Sequence, residues 1–155
     1  MQGLMRKIIL ILFSLWLMHN TTFANKPKFS NQQIIAMTPR YFQKIKDGPQ
    51  LLNATMYKHP QKGKVFQVEV RTNRNRENAD LGVSFDALLT LYKYFKRPPD
   101  LFVVVLHSDS RGTPPVICTG DANCTADHFL YHRISYEQWY NQCITFERSF
   151  LIDSN

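Results

Sequence analysis

The chain has 155 residues, 44% of them hydrophobic and 13% aromatic, with a formal net charge of +7. That length suits one domain with a real core, and the aromatic content excludes a wholly disordered chain. The basic excess excludes a strongly acidic surface and favours anionic partners such as nucleic acid, phosphate groups or an anionic cell surface, although it also serves plain solubility.

Residues 1–24 read as a signal peptide. Arg6 and Lys7 form a positive start, residues 8–18 are apolar, and Thr22-Phe23-Ala24 places small residues at −3 and −1 of a cleavage site after Ala24. The apolar run of 11 residues is well short of the ~20 needed to cross a bilayer. The expected product is therefore a single exported domain over 25–155, periplasmic or secreted, with no membrane span after removal of the leader. In it, 17 basic side chains face 12 acidic ones.

Ser30 and Gln33 form a capping box that opens a helix. Ile34, Ile35, Met37, Tyr41, Phe42 and Ile45 supply its apolar side. Thr38-Pro39 breaks or restarts it, and Gly48-Pro49 ends it. Residues 51–57 alternate and read as a strand. A turn over 59–63 joins it in a hairpin to 64–72, where Phe66, Val68 and Val70 share one face and Gln67, Glu69 and Arg71 the other.

Residues 71–80 are polar and read as a loop with three arginines. Ser84 is the expected N-cap of a second helix, with Phe85, Leu88, Leu89, Tyr92 and Phe95 as its buried stripe and Pro98-Pro99 as its stop. Residues 101–106 are apolar without interruption, as in a central strand covered on both faces. Strand, helix and strand over 64–107 have the pattern of a parallel crossover unit. A short strand over 116–119, a turn over 120–123 and a further strand over 129–134 follow. Ser135 and Gln138 then cap a final helix with Trp139, Cys143, Phe146 and Phe150 as its seam. The fold class expected is α+β, with mixed α/β character: one small domain with a mixed sheet of about four to five strands and three helices packed on it.

Among residues able to carry chemistry, the three cysteines come first. Exported thiols tend to pair, and Cys118 and Cys124 bracket a tight turn, so their bridge is expected, with Cys143 left free. A bridge from Cys143 to either of them is the competitor. Cys118, Cys124, His128 and His132 also form a sequence of zinc- or copper-ligand types, and the two histidines would converge only on a helix. The fragment is read as a strand, so no metal site is assigned.

If 64–72 runs parallel to 101–107, then Arg71, Arg74 and Arg76 lie with His107 at the carboxyl end of the sheet, where open α/β sheets bind ligands. Arginines there clamp phosphate or carboxylate. Glu69-Val-Arg71 has the acid-x-basic order of metal-dependent nuclease strands, but such a site needs a second carboxylate and none occurs between Asp47 and Glu69. A serine elbow, Walker glycine loop, His-Glu-x-x-His and dinucleotide fingerprint are all missing, and no cofactor is expected. Asn53 and Asn123 fit glycosylation sequons.

The function expected from these residues is a non-enzymatic binding or assembly module for a protein or other anionic macromolecule, nucleic acid included. Arg71, Arg74, Arg76 and His107 are its ligand-binding candidates. Two other classes compete. One is a small hydrolase of phosphate esters or nucleic acid using His107 or His132 with the arginines. The other is a metal-handling protein using Cys118, Cys124, His128 and His132.

Overall fold

A computed structural model describes residues 28–148. The expected signal peptide therefore lies outside the described residues. The elements in chain order are α1 (Asn31–Gln43), β1 (Gln50–His59), β2 (Gly63–Thr72), a 3₁₀ turn (Arg74–Arg76), α2 (Glu77–Tyr92), β3 (Leu101–Ser108), β4 (Val116–Asp121), α3 (Ala122–Phe129), α4 (Tyr136–Gln142) and β5 (Ile144–Arg148). The five strands form one mixed sheet in the order β1-β2-β3-β4-β5. β2 and β3 are parallel, and the other three pairs are antiparallel. The domain is α+β, as expected, with four α-helices among the described residues rather than three.

Period-two alternation decides which face each strand presents. Phe66, Val68 and Val70 of β2, Phe102, Val104 and Leu106 of β3 and Cys118 of β4 join Ile34, Phe42, Phe85, Leu88 and Trp139 from the helices in one core. The opposite face has its own small apolar cluster, Val65, Val103 and Val105, with Leu101 and Ile117 against it and no helical residue in it. All the described helices thus lie on one side of the sheet. Gly120 is on the helix side, where an added Cβ would fall 2.7 Å from the Phe85 ring. A side chain there would push α2 off the sheet.

Four local expectations are corrected. First, α2 begins at Glu77, so Ser84 is interior to it, its hydroxyl turned back onto the Asp80 carbonyl. The polar run was a poor guide because Asp80 is itself buried, held by the Thr72 hydroxyl and paired with Arg76 one turn earlier. Second, α1 passes through Pro39 rather than breaking there, and it ends at Gln43, before Gly48-Pro49. Third, residues 122–129 are a helix capped by Asp121, whose side chain accepts from the Cys124 N–H, rather than a turn leading into a strand. Fourth, the last helix stops at Gln142, and residues 144–148 pair with β4. Ile144, Thr145 and Phe146 favour an extended chain beside an open sheet edge over another helical turn. Phe150 of the expected helical seam lies outside the described residues.

Candidate functional site

The disulfide joins Cys124 to Cys143, and Cys118 is a buried free thiol. This corrects the expected Cys118–Cys124 bridge. Cys118 lies on the helix-facing side of β4 inside the core, whereas Cys124 is in the first turn of α3, beside the end of α4 where Cys143 sits. The bond also consumes one of the four metal-ligand candidates. His128 is engaged as well: its Nδ1 lies 3.0 Å from the Ile134 carbonyl, and its ring stacks on Trp139. His132 occupies the turn after α3 with φ at 52°. Among the described residues no group of three or more His, Cys, Asp or Glu side chains converges as a metal site would require.

Burial and, secondarily, the Glu77 carboxylate push the Cys118 thiol up to about 12. Iodoacetamide is therefore expected to leave it unmodified in the folded protein and to label it after denaturation. Above about pH 9 the unfolded chain gives up this proton while the folded chain keeps it. Stability should then fall by about 1.4 kcal/mol per pH unit up to pH about 12, and hold level below pH 9. Comparing urea denaturation of the wild type and Cys118→Ala across this window isolates the effect from the tyrosines and lysines. Parallel curves would show that the thiol is not the group responsible.

The carboxyl end of the parallel pair brings together two of the four sequence candidates. Arg71 and His107 are direct register partners on the helix-free face. Parallel pairing is what places them side by side, because β2 and β3 then end at the same edge. Among the described residues Arg71 makes one weak side-chain hydrogen bond, to Gln50 Oε1 at 3.3 Å. Arg74 lies exposed in the 3₁₀ turn and forms no ion pair among the described residues. Arg76 is committed elsewhere: it pairs with Asp80 at 3.3 Å and donates to the Asp47 carbonyl. Both contacts tie it to the α2 start.

One residue that sequence reasoning left out of the site is Glu69. Its Oε2 lies 3.0 Å from His107 Nε2, and its Oε1 accepts from the Asn53 amide at 3.3 Å. The signal was present, since Glu69 and Arg71 share a strand face. Only the register showed that Glu69 sits one step back from the strand position beside His107. Asp109, just beyond β3, is held by the Asn73 side chain at 3.1 Å. The rim therefore carries two lightly engaged arginines, a histidine oriented by a carboxylate and a tethered aspartate.

No family model matches the chain, and comparison with curated proteins and with solved structures likewise returns no match.

Proposed function

We propose that the chain is an exported binding module without catalytic activity of its own, taking an anionic macromolecular partner at the carboxyl edge of β2 and β3. The observation that carries this reading is the placement of Arg71 beside His107, with Arg74 in the following turn. Neither arginine is neutralised by a carboxylate among the described residues. Cationic groups left available at a sheet edge attract anions, and guanidinium matches carboxylate and phosphate oxygens in pairs. Export is supported by the sequence of residues 1–24 and agrees with a disulfide in the domain. Among the described residues no helix is long and apolar enough to cross a membrane.

The test uses fluorescent poly-glutamate as the probe, with single-stranded DNA as a second arm. The double variant Arg71→Ala, Arg74→Ala is expected to bind roughly ten-fold more weakly at low salt, with the difference closing at high salt. Both side chains are exposed, so the melting temperature should hold. Undiminished binding by the double variant would remove this edge from consideration.

A second reading rests on one specific contact, the Glu69–His107 pair. A carboxylate that orients a half-buried imidazole on the helix-free face beside an arginine has the parts of a general-base site for phosphodiester cleavage. The same preparations incubated with bis(p-nitrophenyl) phosphate separate the two. The binding reading expects no turnover, whereas turnover lost in His107→Ala with an unchanged melting temperature would replace it with the hydrolase.

A further inference from the structure

A cleft of about 890 Å³ opens at the other end of the sheet, among the start of α1, the β1–β2 hairpin and residues 96–100. We propose that it binds a phosphomonoester carrying an apolar or aromatic group. Lys58, Lys64, Lys96 and Arg97 line it against a single carboxylate among the described residues, Asp100. That carboxylate is already used: its Oδ2 accepts the Lys64 backbone N–H at 2.7 Å. Lys58, Lys96 and Arg97 form no ion pair among the described residues.

Lys64 is the organised member of the group. Its ammonium donates to Asn31 Oδ1 at 2.7 Å and to the Arg97 carbonyl at 2.5 Å, and it lies 4.8 Å from the centre of the Phe95 ring. Among the described residues two of its three donors are thus taken, and the side chain needs no further ordering to meet a ligand. Its pKa lies below the ordinary lysine value, chiefly because burial strips away solvent, with Arg97 acting in the same direction and Asp100 opposing. An anion in the cleft would supply the charge compensation that water supplies only in part. α1 adds to the field, since it starts here with no acidic residue in its first turn.

The excess of cations selects the charge of the ligand: four positive groups against one carboxylate favour a dianion over a monocarboxylate. The walls select the rest of it. Phe29 and Met56 line the same cleft, so a ligand that also has an apolar portion covers them while its phosphate meets the cations.

Isothermal titration of the full chain with phenyl phosphate and with inorganic phosphate tests the assignment. Phenyl phosphate is expected to bind at least about ten-fold more tightly than inorganic phosphate. The double variant Lys96→Gln, Arg97→Gln should weaken it by at least about ten-fold again. Both residues are exposed, and Arg97 holds Lys64 through its backbone carbonyl, so the variant should fold as the wild type does. The Arg71→Ala, Arg74→Ala variant should bind phenyl phosphate normally, which separates this cleft from the carboxyl-edge site. Equal affinity for the two probes, absence of binding, or undiminished binding in the Lys96/Arg97 variant overturns the proposal.

Discussion

Replacing Trp139 by alanine is expected to cost about 3–5 kcal/mol of folding stability, a large part of what a domain of this size has. Trp139 is fully buried and heads the large side chains that are. Its ring meets Phe85 of α2 edge-on at 5.4 Å and Phe129 of α3 at 4.9 Å, and it stacks on His128 at 5.6 Å. Its indole N–H donates to the Thr125 hydroxyl at 3.3 Å. Three helices are thus joined through one side chain. α4 has only 7 residues, too few to be helical without tertiary support. Truncation would leave a cavity that neighbours on separate helices cannot readily fill. Trp139→Phe should recover more than half of the loss by refilling most of the volume. Urea denaturation followed by circular dichroism measures both, and a loss below about 1 kcal/mol for the alanine variant would show that the helix layer does not depend on this residue.

The second large effect is expected on removal of the disulfide. Cys124 and Cys143 are 19 residues apart, and closing a loop of that length stabilises a fold by about 3 kcal/mol, mainly by restricting the unfolded chain. The bond also has a local task. The loop it closes holds α3 and α4, and at its end the Cys143 carbonyl accepts the Asp121 N–H at 3.2 Å, next to the Gly120–Ile144 pair that starts the β4–β5 ladder. Cys124→Ala with Cys143→Ala should therefore lower the melting temperature by about 10 °C and speed amide exchange in β5 more than in β2 or β3. Uniform acceleration across the sheet would mean that the bond acts only on the unfolded chain and does not anchor β5.

These two effects come from the part of the chain whose local pattern misled. Trp139, Cys143 and Phe146 are spaced as a helical seam, yet Trp139 lies on α4, Cys143 caps its end and Phe146 belongs to β5. The unsatisfied edge of β4 decides that outcome; Ile144, Thr145 and Phe146 are compatible with a strand, but their propensity alone does not outweigh the helical spacing. Asp80 likewise read as loop because a charged side chain is seldom buried, and only its Thr72 and Arg76 partners make burial tolerable.

What the sequence determined by itself is the part built from local rules. The alternation in 64–72, the unbroken apolar run in 101–106 and the helix between them pointed to a crossover unit or a close relative of one, and the β2–β3 register makes it parallel. The capping boxes at Ser30 and Ser135 marked two helix starts. That pairing was enough to place Arg71 and His107 on one edge. The tertiary structure alone decided the Cys124–Cys143 bond, the Glu69–His107 contact and the cleft where Lys58, Lys64, Lys96 and Arg97 meet. Each joins residues from different elements through strand register or helix docking. Propensity and spacing act over a turn or a strand, whereas these contacts follow from how one buried apolar face is covered by the rest of the chain.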